Sequence, residues 1–519
     1  MTHDTIVILG IPIDNLTMDE TIERIFELIE AYGQDGRPRQ VATVNVDFVV
    51  NTLSWGLKHI RHPELLDILR RADLVTADGM PIVWTSKLLG VPLKERVTGA
   101  ALIPRLAEEA AKRQKSLYFL GGREGVGQQA AQVLKQSYPD LRIADVHSPY
   151  VYIEGEDLVT AVNEDRPLVE RINNSGADIL LIAFGNPKQE IWFHRNRNLL
   201  KVPVSIGIGG TYEFIVGSVA RAPEWMQKTG MEWIFRIAQD PGRLWKRYFV
   251  GFFKFGLMIW PAIMYQRYRR LQYHLFHRRY SLQKDQGLEP LVSIDGFLKV
   301  ITLPDRLDAA FLNQFRDELE ERIGQAQNIV LDFSQTSFID SSGLGFIIYL
   351  WRNTTKEERT LYMTGINPHI IQFFKLNRLW DLFQGKFFEE VNEIFAVLRE
   401  KTTLPPFYFV TEAETGFTLV SLFGRLDAAQ MSTLDVDLII SDIGDRNCIL
   451  NLGELDFVDS SGIVFFLKIQ RHISSQGKIC LLCELTDNIQ QMFRITKLIR
   501  LFQIVPDISS AKKELVESA

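Results

Sequence analysis

The stretch "VTADGMPIVW" (residues 75–84) runs as a short apolar strand and then places Asp78 and Gly79 where a helix would begin. A carboxylate there either caps the helix or takes a proton from a substrate hydroxyl, because open α/β sheets keep their ligands at the carboxyl ends of their strands. Four other stretches end strands in the same way: "TVN" with Thr43 and Asn45, "GGREGVG" with Gly121 and Gly122, "FGNPKQE" with Gly185, Gln189 and Glu190, and "GIGGTYEF" with Gly209 and Gly210. One such loop is a common structural joint, whereas five at one edge point to a ligand site. Within "GGREGVG", Gly125-Val-Gly127-Gln-Gln-Ala130 matches the dinucleotide fingerprint, and Asp145 follows at about 20 residues. The pattern begins well beyond the strand end at Leu120, however, and the fingerprint's first glycine makes its turn directly after the strand, so nicotinamide binding is not expected.

The elements that must position these loops alternate between strand and helix. "TIVILGIPI", "QVATVNV", "ADLVTA", "SLYFLGG", "LRIADV", "ADILLIAFG" and "VPVSIGIGG" read as strands, with amphipathic runs such as "TMDETIERIFELIEAYG" between them. This order predicts a mostly parallel, doubly wound sheet of about 240 residues. The whole chain, at 519 residues, exceeds what one hydrophobic core organises and implies about three domains. Its composition, 46% hydrophobic and 24% charged with a net charge of -6, is that of a folded protein and gives no sign of nucleic-acid binding. The start "MTHDTIVILGIPID" lacks a basic n-region and reads as a first strand, not a signal peptide. Cys448, Cys480 and Cys483 fall in apolar strand-like runs with no second ligand pair, which favours buried thiols in a reducing compartment over a metal or redox site.

The last 230 residues, roughly, repeat themselves. "RLDAA" recurs at 306 and 425, "DSSG" at 340 and 459, and "LFQ" at 382 and 501, a constant offset of 119. Two copies of one domain in tandem follow, at 290–402 and 406–519, joined through the proline-stiffened "TTLPPF".

"TVNVDFVV", "ADLVTADGMPIVW", "RVTG", "FLGG", "FGNPKQEIW", "GIGGTYEFIVGSVARAPEWMQ" and "GMEWIFRIAQDPGRLWKRY", in this order, resemble the WecG/TagA/CpsF glycosyltransferases over about residues 5–250. The resemblance implies a Rossmann-like domain at 1–245. It further implies inverting transfer of an N-acetylmannosamine-type sugar or its uronate from a UDP donor to a polyprenyl-diphosphate-linked sugar, without a metal or other cofactor, in cell-surface polysaccharide synthesis. Two departures are visible: Glu213 stands where many members have aspartate, and Lys246 replaces an arginine, which weakens a bidentate phosphate contact.

A sugar nucleotide leaves as a diphosphate, so the enzyme must balance negative charge on the leaving group and take a proton from the acceptor. No D-x-D metal motif occurs in residues 1–245; the single copy is Asp435-Val-Asp437 in the second repeat. Charge balance then falls to backbone amides, helix N-termini and the cations Arg96, Arg221, Arg236, Arg243, Lys246 and Arg247, with Thr98 and Gly99 of "RVTG" beside them. The resemblance implies Asp78 as the general base, Thr43 and Asn45 as residues that orient the acceptor, and Gln189 and Glu190 as residues that hold the uridine or ribose.

Residues 243–280 carry nine Lys or Arg and no acid among many aromatics. Lys254 and Pro261 interrupt the apolar run, so the segment at 246–289 reads as lying in the membrane interface and not as crossing it. The alternative is a helix packed on the enzyme domain or on a twin in an oligomer. The expected location is cytoplasmic, peripheral on the inner face of the cell membrane.

"NIVLDFSQTSFIDSSGLGFIIYL" and "CILNLGELDFVDSSGIVFFLKI" resemble STAS domains, the module of anti-sigma-factor antagonists. That resemblance implies possible modification of Ser341 and Ser460 by a partner serine kinase, with a phosphatase or STAS-binding protein as further partners; the alternative makes both serines plain helix caps. "DSSGLG" is the closer match to the modifiable pattern. Two function classes stand: a membrane-associated glycosyltransferase regulated or docked by its STAS pair, and a partner-switching protein whose enzyme domain serves as sensor or scaffold.

Overall fold

The computed structural model describes residues 4–54, 60–152, 158–277, 292–294, 298–323, 328–356, 359–389, 393–394, 407–414, 416–432, 434 and 436–517. The chain opens with β1 (Thr5–Ile8) and β2 (Ile11–Asp14), then α1 (Met18–Asp35), β3 (Arg39–Val44), α2 (Val46–Thr52), α3 (Pro63–Arg71), β4 (Leu74–Ala77), α4 (Met80–Leu88) and α5 (Gly99–Lys112). It continues through β5 (Ser116–Gly121), α6 (Val126–Ser137), β6 (Arg142–His147), α7 (Leu158–Ser175), β7 (Ile179–Ala183), α8 (Lys188–Asn196) and β8 (Val204–Gly207). Four helices close this part: α9 (Thr211–Val216), α10 (Glu224–Thr229), α11 (Glu232–Gln239) and the long α12 (Pro241–His277).

Six strands form a parallel sheet in the order β4-β3-β8-β7-β5-β6, with helices on both faces. This is the predicted doubly wound α/β domain, and it brings the ends of β3, β4 and β8 side by side. "TIVILGIPI" is the exception. Leu9 and Gly10 take positive φ and fold it into the antiparallel β1–β2 hairpin, outside the main sheet. Every residue of the hairpin strands is buried because both faces are covered. Ile6, Ile8 and Ile13 enter the transferase-side core while Val7 enters the core of the next domain, the alternation expected of a strand.

The first repeat comprises β9 (Val292–Ile294), β10 (Leu298–Thr302), β11 (Arg306–Leu307), α13 (Ala309–Ile323), β12 (Asn328–Asp332), β13 (Phe338–Ile339), α14 (Ser341–Lys356), β14 (Thr360–Thr364), α15 (Pro368–Leu376) and β15 (Phe387–Phe388). The second comprises β16 (Phe407–Glu414), β17 (Phe417–Leu426), α16 (Ala428–Met431), α17 (Val436–Ile443), β18 (Asn447–Val458), α18 (Ser460–Ser475), β19 (Cys480–Cys483), α19 (Asp487–Ile495), β20 (Gln503–Val505) and α20 (Ile508–Glu517). Each has a five-stranded sheet, mostly parallel with one antiparallel edge strand.

The repeated motifs are joined in space. One oxygen of Asp340 accepts from Ser342 N and Gly343 N at the start of α14, while the other accepts from Ala309 N of "RLDAA" at 3.4 Å. Asp459 does the same with Gly462 N and with Ala428 N at 3.0 Å. The glycine of "DSSG" is fixed by crowding: a Cβ on Gly343 or Gly462 would meet the Leu307 or Leu426 carbonyl oxygen at 2.2 or 2.1 Å. The aspartates therefore do the capping, and Ser341 and Ser460 are the first residues of their helices, not caps. Cys480 and Cys483 point into cores on opposite faces of one sheet, so this Cys-x-x-Cys does not converge.

α12 is one helix through Pro261, not an interrupted run. Its segment Leu244–Tyr273 is, among the described residues, the one helix long and apolar enough by composition to cross a membrane, with a mean hydropathy of 1.3 over its best window. One face, with Phe255, Met258, Ile259, Ala262 and Ile263, is buried in the transferase core. The other exposes Phe249, Phe253, Leu257, Trp260, Met264, Tyr268 and Leu271, spaced by three and four residues.

Candidate active site at the ends of β3, β4 and β8

Asp78 follows β4, and its backbone N–H donates to Val44 O at the end of β3 (2.8 Å). It does not cap α4: that place belongs to Gly79, and no side chain bonds the exposed amides there. The carboxylate is left for other work. Asn45 caps α2 by accepting from Asp47 N (3.0 Å), and its side chain also hydrogen-bonds Asp78. Burial pushes the Asp78 carboxyl up to about 6, against the pull of Arg236 and Arg96 and of the Asn45 hydrogen bond.

The neighbouring cations are organised by a residue that the sequence reading passed over. Glu232, at the start of α11, accepts from Arg96 Nη2 (3.1 Å) and from Arg236 Nη2 (2.9 Å). Burial works against its charge, yet Arg236 and Arg96, with Arg221 beyond them, hold Glu232 below the usual carboxylate range. The Arg236 guanidinium also lies 4.7 Å from the Phe214 ring centroid. Arg221 and Arg236 each keep a buried Nε–H without a protein acceptor. Three guanidinium groups thus face two carboxylates, Asp78 and Glu232, and the surplus positive charge suits a diphosphate leaving group.

Other expected site residues play supporting parts. Thr43 is buried, and its hydroxyl donates to Gly207 O (3.0 Å), tying β3 to β8. Thr98 caps α5 by accepting from Ala101 N (3.2 Å). Gly99 lets that helix approach α9, since a Cβ there would meet Thr211 Oγ1 at 2.9 Å. Gln189 is also internal: its Oε1 accepts from Gly185 N (3.2 Å) and Gly209 N (3.1 Å), and its Nε2 donates to Glu190 Oε1 (2.7 Å). Burial pushes Glu190 up to about 8, only partly offset by the hydrogen bonds from Gln189 and Asn186, so its carboxyl is mostly neutral at pH 7. This pair shapes the two glycine loops. Gly121 and Gly122 hold positive φ where the chain passes Phe184 and Tyr212, and Gly210 starts α9. Lys246 is exposed on α12, while the side chains of Arg243 and Arg247 lie outside those described.

Away from this cluster, a cavity of about 330 Å³ opens at the end of β6, bordered by His147, Tyr150, Asp165 and Arg171. It shares no residue with the Asp78 cluster. Among the described residues no three His, Cys, Asp or Glu side chains gather as a cation site.

Both STAS serines are turned inward. Ser341 is 0% and Ser460 1% exposed. Ser341 Oγ donates to Gln266 Oε1 of α12 (3.2 Å), and Ser460 Oγ donates to Glu64 Oε1 of α3 (2.7 Å). The second glycine of "DSSGLG" has a packing reason: a Cβ on Gly345 would sit 1.7 Å from Thr5 O of the hairpin. The equivalent residue of the second copy is Val464.

A doubly wound parallel sheet with a carboxylate and an arginine cluster at its carboxyl edge is thus followed by twin strand-and-helix modules. The profile of the glycosyl transferase WecG/TagA/CpsF family matches residues 6–270, just over half of the chain, and the chain belongs to that family. The STAS domain profile matches twice, at 290–394 and 408–511. An N-acetylglucosaminyldiphosphoundecaprenol N-acetyl-beta-D-mannosaminyltransferase of Staphylococcus aureus (strain MRSA252) is 31% identical over 240 residues, covering 46% of this chain and 85% of the relative. The protein of the same description from Bacillus spizizenii is 30% identical over 192 residues, covering 37% and 70%. The solved anti-sigma factor antagonist SpoIIAA, unphosphorylated, is 21% identical and covers 23% of this chain and 100% of its own, at a TM-score of 0.19 that is too low to bear on function.

Proposed function

We propose that the chain transfers an N-acetylmannosamine-type sugar from a UDP donor to a polyprenyl-diphosphate-linked sugar, with inversion, Asp78 taking the acceptor proton. The observation that carries this reading is the Asp78 carboxyl, raised to about 6 yet ionised at neutral pH, beside Arg96, Arg236 and Arg221. A base needs a pKa near working pH, and the departing diphosphate needs fixed positive charge. Those guanidiniums supply it without a metal. The activity for which the Staphylococcus aureus and Bacillus spizizenii relatives are named supports the acceptor and the sugar.

The same reading sets the enzyme on the inner face of the membrane. The exposed stripe of α12 supports this, and the covered opposite face favours lying on the bilayer over crossing it, because a spanning helix would have to leave its protein contacts. The basic residues contribute less than their number promises. Arg267 donates to Leu88 O and Arg269 to Ser337 O, and Arg270 reaches Asp340 (3.8 Å), so these three pin α12 to its own protein. The STAS pair docks on the transferase through its serine turns, and a kinase or other STAS-binding partner reaches Ser341 or Ser460 only once a domain has lifted off. The test is incubation of the whole chain with a panel of UDP-sugars and a short-chain lipid-diphosphate N-acetylglucosamine, with and without EDTA. UDP release with UDP-N-acetylmannosamine or its uronate, unchanged by EDTA, is expected; no release with any donor, or release abolished by EDTA, refutes the reading.

A further inference from the structure

α3, "PELLDILRR", carries four charged residues on nine positions and would ordinarily show a face to water. It shows almost none: Pro63 to Arg70 are all buried. The two STAS domains cover it from two sides. From the first, Arg352 at α14 donates through Nε to Arg70 O (2.6 Å) and through Nη2 to Leu69 O (3.3 Å), capping the carbonyl end of α3. From the second, Ser460 Oγ donates to Glu64 (2.7 Å) near the start of α3, and Arg425 pairs with Asp67 (3.1 Å) in its middle.

The contacts continue onto the strand that presents Asp78. Asp73, between α3 and β4, accepts from Gln40 N (2.9 Å) and pairs with Lys356 of the first STAS domain (2.6 Å). Asp14 accepts from Val75 N of β4 (2.7 Å) and lies 3.6 Å from Arg352. Both aspartate side chains are at most 1% exposed; Arg352 is the cation facing Asp14, while Asp73 has Lys356 together with the more distant Arg197 (3.4 Å) and Arg39 (3.9 Å) of its own domain. Asp78 follows Asp73 by five residues of extended chain, roughly 17 Å.

We infer that the two STAS domains form a clamp on α3 and β4 that positions Asp78, with Ser460–Glu64 as the latch of the second domain and Lys356–Asp73 with Arg352–Asp14 as the latch of the first. The clamp acts through placement, because none of the residues around Asp78, namely Asn45, Arg96, Arg221, Glu232 and Arg236, bonds a STAS residue in the described contacts. The catalytic part of this inference rests on the function proposed above; the latch does not.

The second latch is built to release on added negative charge. Glu64 faces Asp459 across the Ser460 hydroxyl, with Asp67 one turn further along α3; His194 Nε2 lies 3.2 Å from Asp459, and Arg425 and Arg71 both pair with Asp67. Burial, and then the Asp459 carboxylate, already push Glu64 up to about 7. Arg71, Arg425 and His194 already face four acids, Glu64, Asp67, Asp427 and Asp459, so a further carboxylate at position 460 adds to an excess of negative charge.

The test uses the full chain and its Ser460→Asp, Ser460→Ala and Ser460→Asp/Glu64→Gln variants, read by hydrogen exchange at α3, β4 and α18 and by small-angle scattering. Ser460→Asp is expected to expand the particle and to speed exchange at Val75–Ala77 roughly tenfold or more, with Ser460→Ala intermediate. Adding Glu64→Gln restores protection, because the amide donates to the new carboxylate, and this recovery separates the latch from simple misfolding. In the assay with UDP-sugar and lipid-diphosphate acceptor, kcat is expected to fall roughly tenfold or more with donor KM unchanged, and to recover in the double variant. A compact, fully protected Ser460→Asp chain overturns the latch. Lost docking with unchanged exchange at β4 overturns the link to Asp78. Changed exchange in a chain with no transferase activity upholds the clamp and removes the proposed function instead.

Discussion

Replacing Asp78 by Asn tests the base with little change in shape, since the amide keeps the side chain's size and α4 has its cap elsewhere, at Gly79. The wild-type carboxyl sits at about 6 because burial outweighs Arg236, Arg96 and the Asn45 hydrogen bond. A general base works ionised, so activity is lost as pH falls through that value: the rate at pH 5 is expected to be about one-tenth of that at pH 7. Loss of such a base costs roughly 10²- to 10⁴-fold, or about 2.7–5.5 kcal/mol of barrier. The assay is initial UDP release from pH 4.5 to 8.5 at substrate concentrations well below KM, where kcat/KM reports the free enzyme, for wild type, Asp78→Asn and Asn45→Ala. The Asn45 variant removes a bond that lowers the Asp78 pKa, so its acid limb is expected to move to higher pH. Turnover in Asp78→Asn within about threefold of wild type, or an acid limb that survives in that variant, refutes the assignment.

Glu232→Ala leaves Arg96 and Arg236 without their shared carboxylate, and kcat/KM is expected to drop by about 1–3 kcal/mol, measured with the same assay. Gly345→Val, which copies the residue at the matching place in the second repeat, drives a side chain into the Thr5 carbonyl. It is expected to destabilise the chain by about 1–3 kcal/mol, read as a lower melting temperature and faster exchange in the β1–β2 hairpin. Phe253→Glu with Trp260→Glu removes two exposed apolar side chains from α12 and is expected to lower partition onto anionic vesicles by roughly 10²-fold, measured by flotation.

Most strands of the main sheet were legible because they are short apolar runs that end at a turn signal, as in "TVN", "FLGG", "AFGN" and "GIGG". The hairpin was not. "TIVILGIPI" is buried on both faces, so it shows no polar alternation to mark its fold-back at Leu9 and Gly10. Glu232 escaped notice because a Glu four residues before an Arg reads as an ordinary surface pair on a helix; only the approach of Arg96 from another loop makes it part of a site. Gln189 and Thr43 fell in the right motifs, but their hydrogen bonds turn inward to the chain's own backbone. The docking of the STAS domains lay beyond local pattern altogether, since Ser460 and Glu64 are 396 residues apart. α3 looks amphipathic until two other domains cover it.

The structure of the lipid product formed by the intact chain tests the central claim most directly. UDP-N-acetylmannosamine, a short-chain lipid-diphosphate N-acetylglucosamine and the enzyme are incubated with EDTA, and the product is examined by mass spectrometry and by NMR at its new anomeric centre. The account predicts a lipid-linked disaccharide carrying one added N-acetylhexosamine with inverted anomeric configuration, absent when Asp78→Asn replaces the wild type. A retained configuration, or equal product from the Asp78→Asn chain, would contradict single displacement driven by Asp78.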